Sequence, residues 1–334
     1  MRVIVEGKPT EVRAVWFENN RVKMIDQRIL PLEFRVLSFC KCSEVAEAIR
    51  NMTIRGAPSI GAAAAYGLTL AALSGENLET AANLLRRTRP TANDLFYAID
   101  YMLHAIASGK DPIAAANAYA DAIVEKCKRI GKYGSLLIRN NSKVMTHCNA
   151  GALASVDVGT ALAPLRVAHD EGKNFFVYVS ETRPRLQGMR LTSWELLNEG
   201  IPHAIIADAA SGHYMKKDVD VIIVGADRIA SNGDFANKIG TFEKAVLAKE
   251  LGIPFYVAAP VSTFDFSIES GEEIPIESRS EDEVTEIEGR RIAPIGASAL
   301  NPAFDVTPNK YVTSFITEIG ILKPSEISEL KMKR

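Results

Sequence analysis

The feature that most constrains the fold is a repeated pattern in the second half of the chain. Short apolar runs alternate there with segments in which apolar residues recur every three or four positions, as in 191–198 and 242–251. The runs occupy residues 144–145, 175–179, 204–207, 221–224 and 255–258. Buried strands separated by helices build a parallel sheet with helices on both faces. The pattern therefore predicts a Rossmann-like α/β domain.

The first half of the chain has a different spacing. Apolar and polar residues alternate at Val3 and Val5 and again at Val22 and Met24, which predicts a small antiparallel sheet. Helical spacing follows, interrupted by glycine and proline, in segments 43–51, 59–73, 78–87, 92–107 and 112–130. We therefore expect an α/β protein of two domains, because 334 residues exceed one typical core. A small sheet plus a helical domain would occupy 1–138, and a Rossmann-like catalytic domain would occupy 139–334.

Composition excludes several classes of function. The formal net charge is −2, so no overall basic field exists to hold nucleic acid or an anionic membrane. The N-terminus has no apolar stretch of signal-peptide length, and the most apolar segment, 60–73, is shorter than a membrane span. We expect a cytoplasmic protein with neither nucleic-acid nor membrane partners. The segment 269–291, rich in Glu, Ser and Arg, predicts a solvated loop or short excursion.

Polar residues follow each predicted strand of the second half. They are Thr146 to Asn149, then Ser180 to Arg183, then Asp208, then Asp227 and Arg228, and finally Ser262 and Thr263. Ligands of open parallel sheets bind beyond the carboxyl ends of the strands. One or two polar strand ends occur in any sheet, but a succession of them at one edge favours an active site.

Cys148 comes directly after the first of these strands. Residues 149–154 have the composition of a helix start, and a thiol at a helix N-terminus has a lowered pKa and a larger thiolate fraction. The alternative is a buried cysteine that packs as a small apolar side chain, which is the commoner role of this residue. The polar ends of the neighbouring strands favour the reactive thiol.

Asp227 follows the apolar run 221–224 and a Gly-Ala pair. Partial desolvation at the end of a strand raises the pKa of a carboxyl group and lets it serve as an acid near neutral pH. Alternatively, Asp227 caps the following turn or pairs with Arg228, and a pair of that kind would lower its pKa. The sequence leaves both possibilities open.

Several basic residues precede predicted helices and could bind an anion. Arg55 and Gly56 come before the apolar helix at 59–73, where free N–H groups attract anions and glycine permits close backbone approach. An arginine there would add a charge-assisted bond to a phosphate. Arg89 and the pair Asn237-Lys238 lie at similar loop-to-helix junctions.

Other chemistry finds no support in the motifs. The sequence has no Walker loop, zinc spacing or G-x-G-x-x-G fingerprint, which disfavours nucleotide hydrolysis and nicotinamide chemistry. Its four cysteines form no metal-binding spacing, and a reducing compartment argues against disulfides. We expect His147, the histidine near the predicted site, to pack or hydrogen-bond rather than to bind a metal.

At these residues the chain resembles the methylthioribose-1-phosphate isomerases. These enzymes share their fold with archaeal ribose-1,5-bisphosphate isomerases and with regulatory subunits of the exchange factor for translation initiation factor two. The resemblance covers nearly the whole chain in motifs at 22–31, 54–61, 88–92, 146–154, 181–192, 225–230, 232–241 and 301–308.

The resemblance implies which residues act. It implies that Cys148 and Asp227 are the catalytic pair of an aldose–ketose isomerase of methionine salvage. The substrate-binding residues that it implies are Arg55, Gly56, Ala57, Arg89, Gln187, Asn237 and Lys238. It also implies a homodimer that binds a small sugar phosphate and needs neither metal nor cofactor.

Two alternatives stay open at this point. A ribose-1,5-bisphosphate isomerase would need extra cationic contacts at the far end of the sugar, whereas a methylthio group needs an apolar pocket. The motifs at 22–31 and 88–92 favour the methylthio substrate. A regulatory subunit of translation initiation needs no catalytic pair, so the presence of Cys148 and Asp227 counts against it.

Overall fold

The structure is a computed structural model that describes residues 1–5, 7–89 and 93–332, without the side chains of Lys331 and Met332. Residues 90–92, which belong to the motif 88–92 and to the start of the helix predicted at 92–107, lie outside the described residues. The described part of the chain has a mixed α/β fold with a largely parallel main sheet.

The N-terminal part consists of short antiparallel strands followed by helices. In chain order the elements are β1 (Arg2–Val5), β2 (Lys8–Glu11), β3 (Val15–Glu18), β4 (Arg21–Ile25), β5 (Val36–Phe39), α1 (Cys42–Arg50), α2 (Ala57–Ser74), α3 (Leu78–Arg86), α4 (Asn93–Ala107) and α5 (Pro112–Ser135). β1 pairs with β2, and β3, β4 and β5 form a separate antiparallel sheet. The predicted alternation and helical spacing are confirmed, although β5 was not predicted.

Helix α2 forms the centre of this part because its small side chains let neighbouring helices approach closely. A Cβ atom at Gly61 would lie 2.8 Å from the Tyr119 hydroxyl oxygen, and one at Gly67 would lie 3.2 Å from Val45. The helix is long and apolar enough to cross a membrane, but 72% of its apolar window is buried within the fold. Burial of this extent is typical of a core helix in a folded domain.

The remaining elements alternate strand and helix. In chain order they are β6 (Ser142–Thr146), α6 (Ala163–Asp170), β7 (Phe175–Ser180), α7 (Ser193–Glu199), β8 (His203–Ile206), α8 (Ser211–Lys217), β9 (Val221–Val224), β10 (Arg228–Ala230), β11 (Phe235–Lys238), α9 (Thr241–Leu251), β12 (Phe255–Ala258), β13 (Phe264–Asp265), α10 (Asp282–Thr285), β14 (Glu286–Ile287), β15 (Arg290–Arg291), β16 (Phe304–Thr307), β17 (Ser314–Thr317), β18 (Gly320–Leu322) and α11 (Ile327–Met332).

The main sheet contains every strand predicted from the apolar runs. Its order is β18-β17-β12-β9-β6-β7-β8, and all neighbours run parallel except β17 and β18. From β6 the chain adds β7 and β8 on one side, then returns to add β9, β12 and β17 on the other. The direction of strand addition therefore reverses between β6 and β9, and an open crevice lies beyond their carboxyl ends.

Each face of the main sheet has its own apolar core because successive side chains of a strand point to opposite faces. Val144 and Ile223 pack on one face, and Met145 and Ile222 pack on the other. A smaller sheet, ordered β13-β10-β11-β16, continues directly from the end of β9. The smaller sheet brings β11 and β16 to the crevice.

Candidate active site

Cys148 and Asp227 lie beyond the ends of the two central strands. β6 and β9 pair in parallel, with Met145 opposite Ile222, so the residues that follow both strands emerge at the same edge of the sheet. A cavity opens at this edge, with about 800 Å³ of unfilled space that includes part of its mouth. It is lined by every residue that the sequence assigned to the site, namely Arg55, Gly56, Ala57, Arg89, Cys148, Gln187, Asp227, Asn237 and Lys238.

The helix predicted directly after Cys148 is wrong. Residues Ala152–Ala154 form a single 3₁₀ turn, and the next α-helix begins only at Ala163. The buried carboxylate of Glu195 accepts hydrogen bonds from the backbone N–H groups of Ala152 at 2.8 Å and Leu153 at 3.3 Å. These amides therefore bind a distant side chain instead of starting a helix, so the thiol does not stand at the start of a helix formed by the residues that follow it.

The backbone of Cys148 is held in an unusual conformation by two threonines. Its φ is 63°, in the left-handed region that non-glycine residues rarely adopt. The Cys148 N–H donates to Oγ1 of Thr182 at 2.9 Å, and Oγ1 of Thr192 donates to the Cys148 carbonyl at 2.6 Å. Backbone strain of this kind is often found at active sites, where it fixes the direction of a side chain. Here the half-buried thiol lines the cavity.

Arg55 reaches the site across the junction between the two parts of the chain. Its guanidinium donates to Oδ1 of Asn149 at 2.6 Å and to the Asn149 carbonyl at 2.5 Å. The Asn149 amide donates in turn to Glu195 at 2.8 Å, and Glu195 forms a 2.7 Å ion pair with the buried Arg166. This buried network fixes the position of Arg55 next to Cys148.

Gly56 stands where the start of α2 meets the turn that follows Cys148. It has a φ of 90°, and a Cβ atom there would lie 2.4 Å from the Ala154 carbonyl oxygen. Only glycine fits such a close approach. The first N–H groups of α2 have no partner within the helix, and its first residue, Ala57, lines the cavity together with Gly56.

Asp227 is the acidic group at the centre of the cavity. Its carboxyl group opens onto the cavity, and protein surrounds it on the other sides. This burial raises the pKa of Asp227, whereas the nearby cations Lys238, Arg55, Arg89 and Arg279 lower it. Arg228 does not pair with it, because Arg228 forms an ion pair with Asp265. Of the two possibilities that the sequence left open, the structure favours the carboxyl group of raised pKa over the pair with Arg228.

Lys238 is a buried cation in the same cavity. Its ammonium group donates to the Ala303 carbonyl at 2.8 Å and lies 4.2 Å from the centre of the Phe304 ring. Burial, followed by the nearby Arg279, lowers its pKa to about 8. An ammonium group with a pKa in this range changes charge within the working range of an enzyme assay.

The start of α9, which follows Lys238, is not free for a ligand. The Asp305 carboxylate accepts hydrogen bonds from Gly240 N–H at 2.7 Å and Phe242 N–H at 3.1 Å. Asp305 thus occupies the backbone N–H groups of this junction, and the predicted anion partners Asn237 and Lys238 would act through their side chains. The side chains of Asn237 and Lys238 still line the cavity.

Arg279 belongs to the cavity lining although the sequence did not single it out. It comes from the segment 269–291, which contains α10, β14 and β15 and is not merely a solvated loop. Arg279 and Arg89 share one carboxylate, that of Glu277, at 3.3 Å and 3.4 Å respectively. No apolar periodicity marks this segment, so its role could not be inferred from the sequence.

Two further polar groups face the cavity. Burial raises the pKa of Asp94 on α4 to about 6, and the sequence analysis missed this residue because its helix carries no motif. The Oε1 atom of Gln187 is buried without a hydrogen-bond partner. An unsatisfied buried carbonyl oxygen is costly unless a ligand or water supplies a donor, so Gln187 is suited to accept a hydrogen bond from a substrate hydroxyl.

His147 packs and hydrogen-bonds, as the sequence predicts. Its Nε2 lies 2.8 Å from the Ile239 carbonyl oxygen, and its Nδ1 lies 3.5 Å from Oγ1 of Thr182. Burial lowers the pKa of His147, so its ring is neutral and Nε2 donates to the carbonyl. The described residues contain no group of three or more His, Cys, Asp or Glu side chains arranged to hold a metal ion.

The charges around the cavity favour an anionic ligand. Among the described residues of its lining, four cations face two carboxyl groups, and these six residues are Arg55, Arg89, Lys238, Arg279, Asp94 and Asp227. A phosphate monoester carries roughly −1.5 to −2 charges at pH 7, which matches this surplus of positive charge.

Comparison with known proteins places the chain in a family. The profile of the Initiation factor 2 subunit family matches residues 53–324. The chain belongs to the initiation factor 2 subunit family. Within it, a protein of Acetivibrio thermocellus described as methylthioribose-1-phosphate isomerase is 49% identical, over 95% of this chain and 98% of the relative. The resemblance that the motifs indicate is thereby confirmed.

Solved structures of the initiation factor 2 subunit family have the same fold. The 5-methylthioribose 1-phosphate isomerase of Pyrococcus horikoshii superposes with a TM-score of 0.90 at 44% identity, over 97% of this chain and 96% of that chain. A structure described as translation initiation factor eIF-2B subunit delta, from A. fulgidus, superposes with a TM-score of 0.86 at 41% identity, over 95% and 97%. The chain is thus similar to proteins described as enzymes and as translation factors.

Proposed function

We propose that this chain converts 5-methylthioribose 1-phosphate to 5-methylthioribulose 1-phosphate and is therefore an aldose–ketose isomerase. The observation that carries the proposal is the meeting of Cys148 and Asp227 at adjacent strand ends, inside a cavity with surplus positive charge. Relatives of this name, nearly half identical over almost the whole chain, support it. Methionine salvage is the metabolic setting that goes with this reaction.

The chemistry is demanding because the phosphate blocks the anomeric oxygen, so the sugar ring cannot open to a free aldehyde. Asp227 would protonate the ring oxygen O4 while the C1–O4 bond breaks, a role that needs a carboxyl group with a raised pKa. The surrounding cations would keep the phosphate in place during this step. Exclusion of bulk water from the cavity would protect the charged intermediate.

The hydrogen at C2 must then reach C1. In one route the Cys148 thiolate removes the C2 proton and the electrons of the C–H bond form a C1=C2 double bond. A proton then returns to C1 while the C2 hydroxyl loses its own proton and becomes the ketone. In the competing route the hydrogen moves directly from C2 to C1 as a hydride. Arg55 and Lys238 both interact electrostatically with Cys148, so two cations lie close to the thiol.

Phosphate binding would fall to the start of α2 and to the cations around it. Gly56 and Ala57 at the start of this helix line the cavity, and Arg55 is held beside them by Asn149. Helix N-termini bind phosphate in many proteins because N–H groups and the dipole act together. Arg89, Gln187, Asn237 and Lys238 complete the substrate-binding set that we propose.

An apolar recess next to the cavity supports the methylthio substrate. Its walls are mainly the rings of Tyr97, Tyr101 and Tyr119 and the side chain of Ile123, with Lys126 as its one cation among the described residues. It shares Pro58, Asp94 and Pro260 with the cavity. A methylthio group would gain from burial there, whereas a second phosphate would lose its hydration.

The regulatory-subunit alternative rests on the similarity to the structure from A. fulgidus. A binding subunit has no use for a carboxyl group of raised pKa that lines a cavity beside a strained cysteine. These two features of the cavity, at Asp227 and Cys148, favour the enzyme.

We also propose a finer organisation of the molecule. The chain would divide into a helical domain at 1–138 and a Rossmann-like domain at 139–334, and the reversal of strand order at β6 and β9 supports the second assignment. The enzyme would act in the cytoplasm as a homodimer. Ile295 and Leu300 are 97% and 94% exposed. We propose that these apolar side chains contact a second copy of this chain in the dimer. Light scattering should give the mass of two chains.

A phosphorus NMR time course tests the proposed reaction. Folded protein receives 5-methylthioribose 1-phosphate in one tube and ribose 1,5-bisphosphate in another. We expect conversion of the first compound alone. Conversion of the bisphosphate alone would make the protein the sibling isomerase, and conversion of neither would favour a regulatory subunit, which should then capture an initiation-factor partner.

A further inference from the structure

We propose that Arg279 binds the phosphate group of the substrate and that Glu277 is a positioning residue that holds Arg279 beside Arg89. This inference rests on the proposed function, because it extends the same cavity to a part of the chain that neither the motifs nor the comparisons single out. The ligand chemistry is that of a phosphate monoester or inorganic phosphate.

The backbone around Arg279 explains how the segment reaches the cavity. Arg279 N–H donates to the Asn301 carbonyl at 2.9 Å, and Ala303 N–H donates to the Glu277 carbonyl at 2.8 Å. Ser278 and Pro302 form an antiparallel bridge between these two contacts. Since side chains alternate along an extended segment, residues 277 and 279 point to the same side. The bridge therefore fixes a carboxylate and a guanidinium together at the cavity wall.

One carboxylate serves two guanidinium groups in this arrangement. Glu277 lies 3.3 Å from Nε of Arg279 and 3.4 Å from a terminal nitrogen of Arg89. Charge-assisted bonds between arginine and a carboxylate are usually about 2.7–2.9 Å long. Both contacts are longer than that, and the bidentate geometry of a saturated pair is absent. Each arginine therefore keeps N–H donors for another anion.

The like charges around Arg279 repel one another, which indicates that they are gathered for a ligand. Burial lowers the pKa of Arg89, and Arg279 lowers it further. The Arg279 guanidinium and the Lys238 ammonium lie 5.8 Å and 4.2 Å from the centre of the same Phe304 ring. Arg279 is only 9% exposed. Three cations converge here on the carboxylates of Glu277 and Asp227, and the remaining positive charge is one that a phosphate would neutralise.

The competing explanation is an ion pair that merely keeps the segment folded. In that case the loss of Arg279 would lower the melting temperature and leave phosphate affinity unchanged. A phosphate-binding Arg279 gives the opposite pattern. The variants Arg279→Gln and Arg279→Lys separate these roles, and Arg291→Gln is the matched control, because Arg291 lies in the same segment, is exposed and does not line the cavity.

Two measurements on the full chain test the proposal: the Kd of inorganic phosphate by calorimetry, and KM and kcat for 5-methylthioribose 1-phosphate. We expect Arg279→Gln to raise both Kd and KM about tenfold or more, the usual effect of losing a bond to a charged group. Arg279→Lys should recover part of the loss, and Arg291→Gln should behave as the parent. A Kd for Arg279→Gln within about twofold of the parent would overturn the role of Arg279.

The variant Glu277→Gln tests whether Glu277 positions Arg279 beside Arg89. It remains informative if Arg279→Gln does not fold. Removing the Glu277 carboxylate frees both arginines, so the Kd of phosphate should not rise. The kcat should fall about fivefold or more, because the sugar phosphate is no longer held in one place. An unchanged kcat would overturn the positioning role. If the parent binds phosphate and Arg279→Gln does not, yet no isomerisation occurs, the binding role stands and the proposed reaction fails.

Discussion

Cys148 and Asp227 emerge side by side from β6 and β9, two neighbouring parallel strands between which the order of strand addition reverses. Such a reversal leaves an open crevice, because the connections on either side run to opposite faces of the sheet. The catalytic pair that we propose thus occupies the place where this topology provides a binding site. α2 closes the crevice from the other part of the chain and brings Arg55 and Gly56 to it.

Gly56→Ala tests whether the close approach of α2 to the Cys148 turn is required. A methyl group would meet the Ala154 backbone at 2.4 Å and would also strain a φ of 90°. We expect a loss of more than about 2 kcal/mol in the free energy of unfolding, measured with urea. Gly75→Ala is the control, because its φ is 72° with nothing within 4 Å, and strain alone should cost it about 1 kcal/mol. Equal losses would contradict the close approach.

Alkylation should distinguish Cys148 from the buried cysteines. Burial raises the pKa of Cys42 and of Cys127 to about 12, so neither should react with iodoacetamide at pH 8. Cys40 is exposed, and Cys40→Ser removes it as a competing target. In that variant, mass spectrometry should find one label, on Cys148, together with loss of turnover. Added inorganic phosphate should slow the labelling of Cys148. Equal labelling rates with and without phosphate would place the thiol away from the phosphate-binding site.

The pH dependence of KM should report Lys238. Its pKa is lowered to about 8 in the free protein, so Lys238 is charged below this pH and becomes neutral above it. KM should therefore be low below pH 8 and should rise as the pH passes through 8 toward 9.5. In Lys238→Arg the charge persists at every pH, so KM should start higher but lose its slope. A KM independent of pH in the parent would contradict the assignment.

Filling the apolar recess should discriminate between substrates. Ala122 lines it and is exposed, so Ala122→Phe should fold normally while taking the space of the methylthio group. We expect kcat/KM for 5-methylthioribose 1-phosphate to fall about tenfold, the usual scale for an apolar substituent in a pocket, and kcat/KM for ribose 1-phosphate to change little. Ala114→Phe, at an exposed position outside the recess, is the control. Equal effects on both substrates would contradict the recess as the methylthio site.

The sequence predicted five of the seven strands of the main sheet, all but β17 and β18, and the residues that gather at its edge. Apolar runs and the polar positions after them are local signals. The turn after Cys148 could not be predicted in the same way. Its amides bind Glu195, which lies more than forty residues further along the chain. The local composition of residues 149–154 favours a helix, and a tertiary contact overrides it.

Arg279 and Asp94 escaped prediction for a related reason. Arg279 reaches the cavity through a backbone bridge between Ser278 and Pro302, in a segment whose charged composition resembles a solvated loop. The helix that carries Asp94 was predicted, but which of its faces meets the cavity depends on packing against α2 and on the sheet edge. Contacts between distant segments decide both positions, and no local pattern records them.

Replacement of Asp227 tests the central claim most directly. Asp227→Asn keeps the shape of the side chain but removes the proton donor, whereas Asp220→Asn changes an acid at the opposite end of the same strand. Phosphorus NMR should show that the first variant binds 5-methylthioribose 1-phosphate but turns it over about 10³-fold more slowly or not at all, the scale expected for loss of a general acid. The second variant should match the parent. Near-normal turnover by folded Asp227→Asn would contradict the account.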